Sequence, residues 1–386
     1  MKDDFGILSF VPNIWEGYWM PRHYIMSGLA KNYKIIWISR SQNLKDTIKH
    51  RFKAGKSSPL IQVDQNFWRY APTRYLPYCF PFSKLKNFDN KILIKKVRKV
   101  LIDIGIKRLI LYLWRPEYSK FLGQFNEEFV CYHIDDEYSF SDVDTPTDER
   151  EKSLIQSSDF VFIHSKTLLE KKGKLNPETH YIPNGVDFEH YRKVIKSYAA
   201  PLEEMKYIPR PRVGYVGWIK KHIDLELLVN LARKRKDWSF VLVGPINKSH
   251  LNIMKYIKLL KNEENVYFLG GKKTEELPKY INELDVCLMC YRKTAYTNFI
   301  YPMKLNEYLA CGKPVVASHL ENLTEFKDVL DFADSAEDWG MKIQRAIDGS
   351  NTDENVRKRL SIAMQNSWQS RVEKIHSIFQ KKIGNY

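Results

Sequence analysis

The chain has 386 residues, of which 44% are hydrophobic and 13% aromatic, and its formal net charge is +16. Since a single hydrophobic core rarely grows beyond about 250–300 residues, this length predicts two domains. No run of about 18 uncharged apolar residues occurs and the acidic start MKDDFGILSF is unlike a signal peptide, so we expect a cytosolic protein without a membrane span.

Short apolar runs alternate with segments of helical length along most of the chain, a pattern typical of parallel α/β sheets. The first half contains the predicted strands FGILSFV at 5, KIIWIS at 34, RLILYLW at 108, FVCYHID at 129 and DFVFIHS at 159. The second half contains VGYVGW at 213, FVLVGP at 240, NVYFLGG at 265, DVCLMCY at 285 and PVVAS at 314. Cys287 and Cys290 lie on one of these strands and face opposite ways, so we expect no shared metal or redox role.

A basic segment from Lys84 to Arg108 holds nine basic residues against two acidic ones. Its apolar residues recur at helical spacing, so it predicts a helix with one apolar and one basic stripe. A solvated surface helix and a contact with an anionic membrane both fit this pattern.

Carboxylates follow the predicted strand at 129, where Asp135, Asp136 and Glu137 stand in a row. Adjacent carboxylates repel one another, so the pKa of at least one should rise, which suits a general base. A solvated acidic loop is the alternative. His133 and His164 lie on predicted strands, where a core position is the better interpretation.

Residues 191–212 interrupt the alternation with three prolines and little apolar content, and they predict a linker. We therefore expect one domain over 1–200 and a second over 205–364. Apolar residues at helical steps from 353 onward predict a closing helix or pair of helices, and we expect the part from about residue 365 to 386 to pack back on the first domain. Two such sheets predict a cleft, with ligands beyond the carboxyl ends of the strands.

The stretch YPMKLNEYLACGKPVVAS, 301 to 318, predicts a helix that begins near Pro302 or Met303 and ends at Gly312. A cation at Lys304 opposes the helix dipole, so a negative ligand is expected there, such as a phosphate. Glu307 lies one turn further on and could accept two hydroxyl protons of a ribose. An ordinary surface pair of lysine and glutamate is the alternative.

Another turn, after VGYVGW, offers Gly217 for a close approach of a phosphate to the backbone, followed by Lys220 and Lys221. Gly244 ends a further strand at the same edge. Tyr291 and Tyr301 flank the helix segment and could contact a base or phosphates, although packing is the commoner role of aromatic residues at strand ends.

These residues carry a resemblance to GT-B glycosyltransferases of the kind that build bacterial polysaccharides and lipid-linked saccharides. PMKLNEYLACGKPVVAS is similar to their donor-site segment, P-x-K-x-x-E-Y-L-A-x-G-K-P-V-V, and HYIPNGVDFEHY, 180 to 191, resembles their IPNGVD signature. The resemblance implies two Rossmann-like domains that face each other across a cleft, a ribose contact by Glu307 and a diphosphate contact by Lys304. Many relatives have a second glutamate eight residues before the first, where this chain has Phe299.

By the same resemblance, Asp136 matches the aspartate of a Y-H-x-x-D-E-Y run and is the expected base, with Asp135 as the second choice. The expected donor-binding residues are Gly217, Trp218, Lys220, Lys221, Gly244, Tyr291, Tyr301, Met303, Lys304 and Glu307. No metal and no cofactor are expected besides the nucleotide-diphosphate sugar, for which UDP is the commonest nucleotide in such folds.

The implied function is transfer of a sugar from a nucleotide-diphosphate sugar to a saccharide or lipid-linked saccharide in polysaccharide biosynthesis, by a cytoplasmic enzyme that binds the anionic inner face of the cell membrane. A nucleotide-sugar epimerase, which is also built as GT-B, is an alternative and would need no acceptor. Nucleic-acid binding fits the charge of +16 but has no supporting motif.

Overall fold

The computed structural model describes residues 5–39, 59–72, 83–138, 147–198, 200–247, 251–349 and 351–384. Its contacts divide the chain into two units. Unit 1 holds the described residues up to Ile182 and those from Ile375 onward, and unit 2 holds those from Pro183 to Lys374.

Unit 1 is built on an eight-stranded sheet. Its strands are β1 Phe5–Phe10, β2 Lys34–Ile38, β3 Leu60–Asp64, β4 Phe67–Tyr70, β5 Arg108–Leu113, β6 Phe129–Ile134, β7 Phe160–Ile163 and β8 Thr179–Tyr181. They lie in the order β3-β4-β2-β1-β5-β6-β7-β8, and all neighbours are parallel except the edge pair β3 and β4. The central strands β1 and β6 are buried along their whole length, as expected for parallel strands covered on both faces.

Unit 2 is built on a six-stranded parallel sheet. Its strands are β9 Arg212–Val216, β10 Ser239–Val243, β11 Val266–Gly270, β12 Val286–Met289, β13 Val315–Ser318 and β14 Leu330–Ala333. They lie in the order β11-β10-β9-β12-β13-β14, which is the doubly wound order of Rossmann-type sheets.

Helices connect successive strands in both units. The α-helices are α1 Pro21–Leu29, α2 Ser83–Ile104, α3 Glu149–Ser157, α4 Lys166–Lys172, α5 Phe188–Lys196, α6 Glu203–Lys206, α7 Leu225–Lys234, α8 Leu251–Lys261, α9 Leu277–Asn282, α10 Met303–Ala310, α11 Ala336–Gly349, α12 Asp353–Gln365 and α13 Trp368–Gly384. The basic segment thus forms the predicted helix, α2, and the C-terminal segment forms a helix pair, α12 and α13. None of the helices in the described parts of the chain is long and apolar enough to cross a membrane.

The predicted linker at 191–212 is wrong over its first part, because 188–196 is helix α5 and belongs to unit 2. This helix packs against α9 and α10, and it buries Tyr191. The prolines that suggested a linker lie after the helix. The division between the units therefore falls at Ile182, upstream of the predicted linker.

The last helix, α13, begins in unit 2 and ends in unit 1. Within unit 2, the N–H of Trp368 donates to the carbonyl of Val186 at 2.9 Å. Within unit 1, Phe379 is fully buried and packs against the rings of Phe129 and Phe162. Its final turns therefore belong to the core of unit 1.

Candidate functional site

The strand order of unit 2 reverses between β9 and β12, which are neighbours in the sheet although β10 and β11 lie between them in the chain. Ligands of doubly wound sheets bind at such a switch point, beyond the carboxyl ends of the strands. Two segments leave the sheet there, 217–224 after β9 and 290–302 after β12. They carry most of the residues that the sequence predicts for donor binding.

The side chain of Lys304 lies directly against Gly217. Helix α10 begins after Pro302 without a side-chain cap, and Gly217 follows β9 with a φ angle of +140°. A Cβ atom at position 217 would lie 2.6 Å from Nζ of Lys304. Only glycine leaves room for this lysine, and only glycine adopts this backbone conformation without strain. The ammonium group and the unpaired N–H groups of the first helical turn together favour an anion.

Gly244, at the end of β10, packs against the backbone of Gly217. Its φ angle is +145°, and a Cβ atom at position 244 would lie 2.6 Å from the carbonyl carbon of Gly217. The N–H of Gly217 donates to Val243 at 2.7 Å, and the N–H of Gly244 donates to Gly270 at 2.8 Å. The backbone at the ends of β9 and β10 is thereby packed closely enough to exclude side chains, and Lys304 covers the end of β9.

Tyr308 fixes α10 to the end of β9. Its hydroxyl accepts a hydrogen bond from the N–H of Val216 at 2.9 Å and donates to the carbonyl of Val216 at 3.3 Å. The ladder between β9 and β12 pairs only Val213 and Gly214 of β9, so the tyrosine hydroxyl satisfies backbone groups that the sheet leaves unpaired. Since Lys304 and Tyr308 are four residues apart, the same helical face carries both contacts. The local sequence pattern does not indicate either of these hydrogen bonds.

Lys304 and Glu307 are both half-buried and influence each other. Burial raises the pKa of Glu307, and the charge of Lys304 and the hydroxyl of Tyr191 offset this rise only in part. Burial likewise lowers the pKa of Lys304, against the opposing effect of Glu307. Burial therefore removes water from both side chains, so a polar ligand that binds here would meet two groups that are poorly hydrated.

Other predicted donor residues lie on the surface of the loop after β9. Trp218 is 41% exposed, and its carbonyl accepts a hydrogen bond from the Tyr215 hydroxyl at 3.0 Å. Lys220 and Lys221 are exposed, and Nζ of Lys220 lies 5.4 Å from the centre of the Trp218 ring. Met303 is half-buried in the first turn of α10.

Tyr291 and Tyr301, in contrast, are buried in the core of unit 2. The carbonyl of Tyr301 accepts a hydrogen bond from Nδ2 of Asn184 at 2.8 Å, and the carbonyl of Asn184 accepts one from Nδ2 of Asn306 at 3.1 Å. Asn184 is the asparagine of the IPNGVD stretch, and the sequence pattern alone indicates no role for it. In the structure it fixes the segment that leads into α10.

In unit 1, Asp135 is fully engaged by protein groups. The Arg22 guanidinium contacts its carboxylate at 2.6 Å and 2.7 Å, and the Tyr138 hydroxyl donates to Oδ1 at 2.6 Å. Both side chains of the ion pair are only 4% exposed. Although burial alone would raise the pKa of Asp135, the Arg22 charge and the Tyr138 hydrogen bond outweigh it, and the pKa lies below its usual value.

Asp136, the next residue, lies in a different environment. Its Oδ1 atom accepts the N–H of Glu137 at 2.9 Å. Burial and the neighbouring charge of Asp135 raise the pKa of Asp136 to about 6, although Arg115 acts in the opposite direction. A carboxylate with this pKa is ionised at neutral pH and can accept a proton readily.

A buried ionic cluster holds the chain that follows Asp136. Lys172 is fully buried, and its Nζ atom donates to Oε1 of Glu137 and to Oε2 of Glu151, both at 2.9 Å. The Tyr132 hydroxyl donates to Oε1 of Glu151 at 3.0 Å. The cluster fixes the backbone that carries both aspartates.

The two histidines near this cluster are core residues, as predicted. Burial lowers the pKa of His133 to about 3 and also lowers the pKa of His164. The ring of His133 stacks on Trp114 at 4.3 Å. In the described ranges, no group of three or more His, Cys, Asp or Glu residues is arranged to hold a metal ion.

Residues 210–348 match the family model described as glycosyl transferases group 1. A curated relative, TuaH of Bacillus subtilis strain 168, is described as a glycosyltransferase of teichuronic acid biosynthesis. It is 26% identical over 226 residues, and the match covers 57% of this chain and 54% of TuaH. The matched part is thus about half the length of this relative.

Solved glycosyltransferase structures match nearly the whole chain. Sucrose-phosphate synthase of Thermosynechococcus elongatus has a TM-score of 0.69 at 15% identity, and the match covers 99% of this chain and 100% of that one. Anabaena HepE in complex with UDP and glucose has a TM-score of 0.68 at 14% identity, with coverage of 97% and 99%. An α,α-trehalose-phosphate synthase of Burkholderia xenovorans in complex with glucose-6-phosphate has a TM-score of 0.71 at 11% identity, also with 97% and 99%. The GT-B fold and the resemblance to GT-B glycosyltransferases are confirmed, and a transferase is supported.

Proposed function

We propose that this chain, which has the GT-B fold and a glycosyl transferases group 1 segment, transfers a sugar from a nucleotide-diphosphate sugar to a saccharide or lipid-linked saccharide. The observation that carries the proposal is the contact of Lys304 with Gly217, with Glu307 one helical turn away. It places a cation, a side-chain-free backbone and a carboxylate at the switch point of unit 2, and this combination suits a nucleoside diphosphate.

In the proposed binding mode, the diphosphate contacts Lys304 and the N–H groups of the first turn of α10. Glu307 then accepts hydrogen bonds from the two ribose hydroxyls. Two of the solved relatives support this nucleotide class, because HepE was solved with UDP and a trehalose-6-phosphate protein of E. coli with UDP-2-fluoro glucose. Phe299 provides no carboxylate toward the donor sugar, so the proposal assigns no such contact.

Unit 1 would bind the acceptor and supply the base. An acceptor hydroxyl attacks the anomeric carbon of the donor, the bond to the diphosphate breaks, and the hydroxyl proton passes to the carboxylate of Asp136. The near-neutral pKa of Asp136 supports this role. Asp135 is bound to Arg22 and Tyr138, so it serves better to hold the loop than to accept the proton.

The pathway and location are further parts of the proposal. The relative TuaH, described as a glycosyltransferase of teichuronic acid biosynthesis, supports a role in polysaccharide biosynthesis. Helix α2 exposes Lys91, Lys95, Lys96, Arg98 and Lys99, and this basic surface supports binding to the anionic inner face of the cell membrane.

The experiment is a thermal-shift screen of the whole chain against UDP-, GDP- and ADP-sugars. A ligand at about 100 times its Kd adds about 2.7 kcal/mol of stability, which corresponds to a rise in Tm of roughly 5–10 °C. The variant Glu307→Ala should lose most of this rise, because about 1.5–3 kcal/mol of charge-assisted hydrogen bonding is removed. Its Tm without ligand should change little.

Glu264→Ala is the matched control, because Glu264 is an exposed glutamate elsewhere in unit 2. The Glu264→Ala variant should keep the full ligand-induced rise in Tm. An equal ligand-induced rise in Glu307→Ala would contradict the ribose contact. Conversion of the donor sugar to a stereoisomer without any acceptor would favour an epimerase over a transferase.

A further inference from the structure

Arg115 and Asp136 follow the ends of two neighbouring strands in the sheet of unit 1. Strands β5 and β6 are parallel neighbours, with Leu113 in register with Tyr132. Arg115 follows the end of β5 by two residues, and Asp136 follows the end of β6 by two residues. Both side chains therefore belong to the carboxyl edge of the sheet, where ligands of such sheets bind.

The guanidinium of Arg115 is held against an aromatic ring rather than by an acid. It is half-buried, and its central carbon lies 4.3 Å from the centre of the Tyr138 ring. Among the residues that the structure describes, it makes no hydrogen bond and no ion pair. A stacked guanidinium keeps the N–H groups at its edge available to a ligand.

The acids that act electrostatically on Arg115 are Asp135, Asp136 and Glu117. Asp135 is already bound to Arg22, and both side chains of that ion pair are only 4% exposed. Among the described residues, neither Asp136 nor Glu117 forms an ion pair with Arg115. The described part of this edge thus presents a cation beside the proposed base.

We propose that Arg115 binds an anionic group of the acceptor, a phosphate or a carboxylate, next to the carboxylate of Asp136. The planar guanidinium donates two parallel hydrogen bonds to either group. Such a contact fixes the acceptor while its hydroxyl is positioned for attack. This inference rests on the proposed function and specifies the class of acceptor as an acidic or phosphate-linked saccharide. The diphosphate of the donor has its own cation, Lys304, in unit 2.

The test compares binding of glucose, glucuronate and glucose 1-phosphate to the UDP-loaded protein by calorimetry. Glucuronate represents an acidic sugar and glucose 1-phosphate a phosphate-linked one. We expect one of the two anions to bind more tightly than glucose, and Arg115→Ala to weaken that anion by roughly tenfold to a hundredfold. The affinity for glucose should stay unchanged. Arg115→Lys should give an intermediate loss, because it retains the charge but not the paired hydrogen bonds.

Arg150→Ala is the control, because it removes the same charge from an exposed position in unit 1. Equal affinities for glucose and both anions, or equal losses in Arg150→Ala and Arg115→Ala, would overturn the inference. UDP binding shows whether a variant is folded. If Arg115→Ala no longer binds UDP, the affinities for glucose and the two anions are compared in Arg115→Lys instead. A protein that binds an anion through Arg115 but transfers no sugar would refute the proposed function and leave the anion site standing.

Discussion

Asp135 and Asp136 show how two identical side chains, adjacent in the chain, acquire different properties. Asp135 faces Arg22 and Tyr138, which stabilise its charge, whereas Asp136 receives a single backbone hydrogen bond from Glu137 and loses hydration. The sequence could predict that neighbouring carboxylates raise a pKa. It could not show which of them is neutralised, because Arg22 is 113 residues away in the chain.

We predict that the transfer rate depends on the ionisation of Asp136. Since the pKa of Asp136 is raised to about 6, kcat should fall as the pH is lowered through this value, where the carboxylate becomes protonated. Asp136→Asn should lower kcat by about 10²–10⁴ at neutral pH, the usual contribution of a positioned base. Steady-state kinetics between pH 5 and pH 9, roughly the range around a base of this kind, would test both points.

Donor affinity is the control for this prediction, because Asp136 is not part of the donor site and UDP binding should stay unchanged. Asp135→Asn should instead destabilise the fold, since it leaves the buried Arg22 without its carboxylate. A loss of kcat in Asp135→Asn alone, with the fold intact, would reverse the two assignments.

At the scale of elements, much of the donor site follows from local sequence and the rest from contacts between distant segments. The helix start at Met303, the positive φ of Gly312 and the turn at Gly217 all follow from residue type. The contact of Lys304 with Gly217 and the double hydrogen bond of Tyr308 join segments about 90 residues apart, and nothing in the local pattern specifies them.

The helix α5 was missed because of the prolines that follow it, which favoured a linker. Its own apolar residues recur at helical spacing, at positions 188, 191, 194 and 195. Tertiary contacts add to this local pattern: Tyr191 is buried, and Nη1 of Arg192 donates to the carbonyl of Ala310 at 3.4 Å. Local pattern and packing therefore both favour the helix.

We predict that Gly217→Ala destabilises unit 2 and abolishes the stabilisation by a donor nucleotide. The alanine would have a positive φ and would displace the Lys304 side chain, and we expect a loss of about 1–3 kcal/mol in the free energy of unfolding. Urea unfolding with and without UDP measures both effects.

Gly340→Ala is the control, and its expected effect on stability is opposite to that of Gly217→Ala. Gly340 lies inside α11, and a Cβ atom there would meet nothing within 4 Å. Alanine should therefore raise stability by about 0.5–1 kcal/mol through its better helix propensity and leave UDP binding intact. Full UDP-induced stabilisation in Gly217→Ala would contradict the proposed position of the diphosphate.

At the scale of the whole molecule, part of the net charge of +16 is concentrated on one helix of unit 1. Helix α2 exposes five of its basic residues, and Ile102 on the same helix is 77% exposed. An apolar side chain among cations is typical of helices that lie on anionic lipid surfaces. The sequence predicted the helix and its two stripes but left open whether the basic stripe faces water or lipid.

We predict that the chain binds vesicles that contain anionic lipid and that Lys95→Gln, Lys96→Gln and Lys99→Gln together weaken this binding. Each lysine near such a surface contributes about 1 kcal/mol, so the triple variant should bind roughly a hundredfold more weakly. Sedimentation with vesicles of phosphatidylglycerol and phosphatidylcholine measures the affinity.

The matched control replaces Lys255, Lys258 and Lys261 of α8, which are exposed in unit 2 and give the same change in net charge. This control should bind as the unchanged protein does. Equal weakening by both triple variants would assign the attraction to net charge alone and would exclude a specific role of α2.

The packing of Gly244 on Gly217 has a consequence for how this donor domain can evolve. A side chain at 244 would displace the backbone of Gly217, and a side chain at 217 would displace Lys304. The dependence runs in one direction, because a smaller side chain at 304 would leave both glycines in place. A descendant that has lost either glycine should therefore also have lost the position of Lys304, together with the phosphate contact proposed for it.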